Sequence, residues 1–479
     1  MNWEKFKTFI LVFLALSSIS LTGIFMYETT GLEKDFNLNE FNFPTIIIDA
    51  DAITHPQGLF VNFGGDSYTA FFFDEEFLWE KIHGTLGKFI TEESLIRVDE
   101  RRFTSNSKER SIKIVYDTPV PLGEYFGDGF NQELMVDEIL MPLLGRNYIL
   151  IRSGEAYYQH MLILDDEIKE AVKALENEEY RVFRTIEDRF SIQTVLEENG
   201  IETGINTTLI PSSEITDVPF YKMALVEEEL NSQVMEGYVK KIFGDDLSFV
   251  KRMTDYDGTI IYMTNFGKQV LSFSSEGLIR YTDNAMGDKD GGTTPDYRDD
   301  LQTAWDFIQY FEEGIEGIRL ARHEVTSQGS LFTFAHSLAG TPIYYKGDLE
   351  GQALEVRVEK GKVVAYQSNY RRRYEEFRVS QFYGSAETFS RIFDKNFSVF
   401  SDNFRSDNES GFSRDTQVYV FQLLSAIEDF RFEYFVDTTV NTTTVIPAWQ
   451  ITIGNFTYHI DIYQGTLLHV GEGQDRGLE

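Results

Sequence analysis

The pattern of apolar and polar positions changes character early in the chain. Residues 9–27, FILVFLALSSISLTGIFMY, are 19 consecutive positions without a charge, which is long enough to cross a bilayer as a helix. Lys5 and Lys7 precede the run, and Glu28 and Glu33 follow it. Cationic flanks stay in the cytoplasm, so the run predicts a retained transmembrane anchor with the rest of the chain outside. A cleaved signal would carry a shorter apolar core of about 7 to 15 residues that ends in small residues. This run ends in Phe25, Met26 and Tyr27.

Beyond the anchor, residues 28–44 are polar, acidic and without a period, and read as a stalk. TIIIDAD from Thr45 predicts a first strand, and GLFVNF and SYTAFFF predict a β pair. Asp74 is placed to cap a helix whose Phe77, Leu78, Ile82, Leu86 and Phe89 share one face. A strand over 111–116 is expected to run into the turn-rich TPVPLGEYF.

The remainder predicts a helix followed by a meander of strands, three times over. The first unit has a helix over 231–243, then LSFVKRM, TIIYMTNFGKQVLSFSS and LIRYT. The second has a helix over 299–311, with Leu301, Trp305 and Ile308 on one face, and ends in ALEVRVEKGKVVAYQSNY. The third has a helix over 415–427, then FRFEYFV, AWQITIG and FTYHIDIYQGTLLHV. Each closes on a hairpin turned at Gly277, Gly361 or Gly465, because a tight hairpin needs positive φ. A helix that buries its stripe on one face of an antiparallel sheet gives an α+β fold.

The expected organisation is therefore a cytoplasmic stub (1–8), a transmembrane helix (9–27), a stalk (28–44), an N-terminal extracytoplasmic domain (45–185), a middle domain with two helix-meander units (186–375) and a C-terminal domain (376–479).

The formal charge of −35 excludes nucleic acid as a partner, since phosphate binding needs the opposite sign. With no cysteine, disulfide and thiolate chemistry are absent and no lipoprotein acceptor exists; many exported Gram-positive domains share this trait. The acidic stretch 283–300, DNAMGDKDGGTTPDYRDD, offers Asp283, Asp288 and Asp290 to a calcium ion. Neither it nor TDYDGT at 254–259 matches the D-x-[DN]-x-[DN]-G calcium loop, so a solvated linker and no metal are expected. The glycosylation-type triplets at 206–208 and 441–443 are expected by chance in a chain rich in Asn and Thr.

No catalytic constellation emerges. The histidines, His55, His83, His160, His323, His336, His459 and His469, show no metal-binding spacing, and no G-x-S-x-G, phosphate loop or dinucleotide fingerprint is present. His336 and Ser337 are adjacent on a strand and point to opposite faces. Among 78 acidic residues some pair always lies about 5 to 9 Å apart, so carboxylate pairs carry no glycosidase signal. The aromatic content of 15% follows from cross-strand pairs in a sheet-rich core. The expectation is no enzyme, no catalytic residue and no cofactor. In the anchor, Ala15, Ser18 and Thr22 form a small, polar stripe expected to be a helix–helix interface.

These segments together resemble a known family. The basic start and anchor EKFKTFILVFLALSSISLTGIFMY, then SIKIVYDTPVPLGEYF, SFSSEGLIRYTDN, LQTAWDFI, GTPIYYKG and EVRVEKGKVVAYQSNY are similar to the YycH regulatory proteins of Gram-positive bacteria. The final PAWQITIGNFTYHIDIYQGTLLHV resembles the companion family YycI and, more distantly, PepSY-type domains, with Trp449 on the strand and Gly465 at the turn. His459, Ile460, Asp461 and Ile462 stand where PepSY-type repeats often read V-D-A.

The resemblance implies a non-enzymatic accessory protein of the WalK/WalR (YycG/YycF) two-component system. It would adjust the essential sensor histidine kinase WalK (YycG), which controls cell-wall homeostasis, together with YycI at the cell membrane. The residues alone also admit an extracytoplasmic binding module for a wall polymer or peptide, which would need a deep aromatic-lined groove, and an anchored wall hydrolase.

Overall fold

Alternating strands and striped helices assemble into two largely antiparallel sheets. The computed structural model describes residues 56, 58–64, 68–71, 75–86, 95–121, 134–145, 147–162, 164–176, 182–203, 206–212, 215, 218, 220–223, 230–264, 267–284, 297–312, 317–326, 329–338, 341–347, 349, 351, 353–370, 374–377, 385–407, 413, 415–440 and 444–472. The uncharged run 9–27, the stalk 28–44, the TIIIDAD strand, Asp74 and Phe89 lie outside these residues. Among the described residues no helix is long and apolar enough to cross a membrane.

Among the described residues the first sheet holds nine strands: β1 (Gly58–Asn62), β2 (Tyr68–Phe71), β3 (Ile96–Val98), β4 (Ser111–Pro121), β5 (Met135–Pro142), β6 (Tyr148–Ser153), β7 (Ala156–Met161), β8 (Val182–Thr185) and β9 (Leu209–Pro211), in the spatial order β3-β7-β6-β5-β4-β1-β2-β8-β9. The expected pair β1–β2 is present, with Leu59 opposite Phe71. Helix α1 (Glu75–Leu86) buries Leu78, Ile82 and Leu86 against Ile112, Ile114 and Ile139 of the sheet. Helices α2 (Glu100–Ser107) and α3 (Asp166–Glu176) belong to this half, and the short α4 (Ile186–Phe190) and α5 (Ile192–Glu198) follow β8 and turn their apolar residues to another core.

One expectation is corrected here: the strand over 111–116 does not give way to a turn but continues as β4 through Pro121. Pro119 and Pro121 are tolerated because β1 pairs with β4 only as far as Val115, and the ladder with β5 shifts register between Val115 and Val120. A proline that donates nothing to a ladder fits where one neighbour has ended and the other is irregular.

The second sheet takes the rest of the chain. β10 (Phe220–Met223) precedes helix α6 (Ser232–Phe243), whose N-cap Asn231 accepts hydrogen bonds from the backbone N–H groups of Gln233 and Val234. A 3-10 turn (Leu247–Phe249) follows where LSFVKRM predicts strand throughout, and the meander β11 (Lys251–Thr254), β12 (Ile260–Thr264), β13 (Gln269–Phe273) and β14 (Leu278–Asp283) starts after it. Helix α7 (Tyr297–Phe311) buries Leu301, Trp305 and Ile308 as its stripe predicts. Next come β15 (Ile318–Val325), β16 (Gly329–Leu338), β17 (Thr341–Lys346), β18 (Leu354–Glu359), β19 (Lys362–Asn369) and β20 (Tyr374–Phe377). The last unit is α8 (Phe389–Asp407), α9 (Thr416–Ser425), β21 (Ile427–Asp437), β22 (Thr444–Ile453), β23 (Phe456–Asp461) and β24 (Leu467–Glu472).

The hairpin glycines all take positive φ: 92° at Gly277, 70° at Gly361 and 59° at Gly465. Lys360 joins Gly361 at φ 52°, so the two-residue loop between Glu359 and Lys362 has the primed geometry that matches strand twist. The β11–β14 meander runs through β19, β18 and β16 and reaches the C-terminal strands by a parallel pair, β17 with β21, where Tyr344 lies opposite Phe435.

Apolar side chains gather into three main cores. One lies under the first sheet; a second holds α6, α7 and the sheet around β13 to β19. The third lies between α8, α9 and β21 to β23. The segment from Phe183 to Met223, which the sequence divides between its first two domains, packs its apolar residues into this third core.

Candidate functional site

Along β21 the alternation of side chains sorts residues onto two faces. Phe430, Phe432, Tyr434 and Val436 point into the third core, whereas Arg431, Glu433, Phe435 and Asp437 point the other way. Register then places Tyr344 beside Phe435, Ala448 beside Glu433, Gln450 beside His459, and His459 beside His469. Tyr344, Glu433, Phe435, His459 and His469 therefore converge on the face of the sheet away from the helices.

His459 is fully buried and Glu433 is 3% exposed. The two sit on strands separated by β22, and the β22 residue opposite Glu433 is Ala448, whose methyl lets the carboxylate pass over to the imidazole. Nδ1 of His459 contacts Oε1 of Glu433. Nε2 is buried and has no hydrogen-bond partner among the described residues. The Tyr344 ring lies over the imidazole at a centroid distance of 3.7 Å, with His469 near-parallel at 5.7 Å and Phe435 at 5.8 Å. The arrangement is a carboxylate-oriented imidazole under an aromatic lid, closed off from solvent.

A second buried carboxyl closes the middle core. Glu312 follows the last turn of α7, and its two oxygens accept hydrogen bonds from Tyr238 of α6 at 2.8 Å and Tyr366 of β19 at 2.5 Å. Burial pushes the Glu312 carboxyl above the usual carboxylate range, against the opposing pull of the tyrosine hydroxyls and Lys241. Burial, reinforced by Glu312, likewise holds the Tyr366 hydroxyl well above its ordinary value. In the same unit His323 lies between Phe332, stacked at 4.7 Å, and Tyr297, edge-on at 4.7 Å, and burial lowers its pKa to about 4.

The residues singled out in the sequence fall elsewhere. Ala15, Ser18 and Thr22 lie outside the described residues, as do Asp288 and Asp290. Asp283 accepts a hydrogen bond from Gln269 at 2.9 Å within the meander. Among the described residues no group of three metal-type side chains converges. His336 is buried and contacts the Tyr345 hydroxyl through Nδ1 at 2.8 Å, while Ser337 donates to the Gly317 carbonyl, so the neighbours do face apart. Asn206, from a triplet expected by chance, has a structural role, because its amide donates to the carbonyls of Ser425 at 3.1 Å and Ile427 at 2.8 Å and so caps the end of α9. The Glu433–His459 pair matches no motif; its trace in the sequence is a glutamate between Phe432 and Tyr434, and a histidine between Tyr458 and Ile460, in otherwise apolar strands.

No family model matches the chain, and no curated protein matches it. Among solved structures, the Bacillus megaterium YpeB C-terminal domain is similar at 11% identity and a TM-score of 0.27, over 51% of this chain and 98% of that one. The chain is thus α+β by its own architecture, with a slight likeness to one bacterial domain.

Proposed function

We propose that the chain is a membrane-anchored, non-enzymatic regulator of an essential sensor histidine kinase that controls cell-wall homeostasis, acting with YycI through transmembrane and extracytoplasmic contacts. The observation that carries this reading is the uncharged run 9–27 behind Lys5 and Lys7, ahead of a large α+β unit that begins at Ile48. In this reading the anchor and the outer unit pass the signal. The Ala15, Ser18 and Thr22 stripe supports packing against partner helices.

The test is crosslinking in membranes followed by pull-down, comparing the native chain with one whose residues 9–27 are replaced by an unrelated spanning helix. Capture of a histidine kinase by the native chain and its loss on replacement is the expected result; no kinase with either chain overturns the reading.

A second reading, an extracytoplasmic binding module for a wall polymer or peptide, is favoured by one feature. Tyr344 and His469 remain partly exposed beside the buried His459, and an aromatic row of this kind can stack on a sugar or peptide plane.

A further inference from the structure

Strand β11 ends the second sheet, and among the described residues β12 is its only strand partner. All four of its residues are exposed, on both faces. Around it stand three large apolar side chains in water: Phe249 is 85% exposed, Met253 39% and Tyr256 99%. Single exposed apolar residues are ordinary; three on one free sheet edge are a surface. Lys251 and Arg252 make a basic edge on a chain of net charge −35, and lysine on an edge commonly discourages pairing with another strand.

The order of residues changes that reading. Asp255 donates its N–H to the Thr259 carbonyl across the hairpin at 2.9 Å. Alternation along an antiparallel strand then turns the backbone groups of Lys251 and Met253 inward to β12, and those of Arg252 and Thr254 outward. Setting a second β11 antiparallel about Met253 puts Arg252 opposite Thr254 of the other copy, twice, and so joins all the outward donors and acceptors. Met253 meets its own copy at the centre as a non-hydrogen-bonded pair. On the same face, Lys251 falls opposite Asp255 of the other copy, again twice.

We infer that β11 is a pairing edge for a second copy of this chain, forming a two-fold antiparallel strand pair centred on Met253. A single self-complementary patch is what a closed two-fold interface requires. In the register centred on Met253 the basic edge is compensated, because Asp255 of one copy faces Lys251 of the other at both ends. The apolar row continues behind the centre through Ile261, which pairs with Met253 on β12. With so few residues a side, the contact is a weak, concentration-dependent one rather than an obligate interface.

The chain has no cysteine, so single cysteines report the register directly. In the full chain, Met253→Cys is expected to form a disulfide-linked dimer under mild oxidation, since directly opposed non-hydrogen-bonded residues lie about 4.5 Å apart at Cα, within disulfide reach. Thr254→Cys, which faces Arg252 rather than itself, is expected to crosslink far more slowly. Adding Thr254→Pro to Met253→Cys removes an outward N–H while leaving the inward ladder intact, and should abolish the crosslink without changing the melting temperature. Equal crosslinking of Met253→Cys and Thr254→Cys, or a chain that stays monomeric in sedimentation across its soluble range, overturns the inference. If an edge peptide from another protein is the true occupant, the chain stays monomeric alone and the inference falls with that result.

Discussion

Two buried glutamates, one in each half of the second sheet, show how the same side chain can serve different ends. Glu312 is held by Tyr238 and Tyr366, neutral donors that keep their protons. Its carboxyl therefore answers chiefly to burial, which favours the protonated form, and it ties α6, α7 and β19 together across two successive helix-meander units. Glu433 is instead paired with the imidazole of His459 across β22. The first carboxyl is a joint between units; the second is one half of a buried carboxylate–imidazole pair within one sheet. The difference comes from the partner, because both sites are almost free of solvent.

The comparison breaks most visibly at His459. His459→Phe keeps the ring volume but strands Glu433, and removing one member of a buried pair costs about 3–5 kcal/mol; urea unfolding should show a loss of that size. A loss no larger than that of removing one tyrosine hydroxyl beside Glu312 would make the two sites equivalent. Ala448→Leu is expected to cost about 1–3 kcal/mol by overpacking, and to separate Glu433 from His459 while both residues remain. Imidazole resonances of His459 should shift in this variant as the contact with Glu433 is lost. At the other site, Tyr366→Phe removes one donor, and about 1–2 kcal/mol of stability should go with it.

The smallest effect is in pH dependence, where two groups of the middle core have opposite signs. The folded pKa of Glu312 is raised, so its contribution is fully present below the unfolded carboxyl value and is lost as pH rises through the folded one. Glu312→Gln should remove that decline from a plot of stability against pH. His323 is lowered to about 4, so its contribution is present above the unfolded imidazole value of about 6.5 and is lost as pH falls toward the folded value. His323→Phe should flatten the acid limb between those values. A chain whose stability is level across both ranges would show that neither group carries a shifted proton.

What could be read in the chain was what depends on near neighbours. The stripe of α7 and the glycines at 277, 361 and 465 follow from spacing and from φ alone, and all are present. Helix α8 is as legible, since Phe389, Phe393, Phe397, Phe400 and Phe404 recur at helical intervals, yet a reading of one helix per meander has no place for it beside α9. Pairings that join distant segments leave no local mark. The parallel contact of β17 with β21 has no turn to announce it, and Glu433 meets His459 only because two registers across β22 add up in that way. The Ala448 gap between them is invisible until those registers are known.

The small strand β10 has a consequence for the order in which the molecule can be assembled. Its partners are Tyr374–Phe377 on one side and Thr444 and Val445 on the other, and Asn206, just upstream, waits for Ser425 and Ile427. During synthesis these groups emerge long before the segments that satisfy them. The first sheet can close on contacts already in hand, apart from this trailing stretch, whereas the stretch itself must remain unsatisfied until nearly the last strands are made. The C-terminal hairpins thus act as the clasp of the chain, and a ribosome stalled before β22 would hold a molecule whose early part is built but not locked.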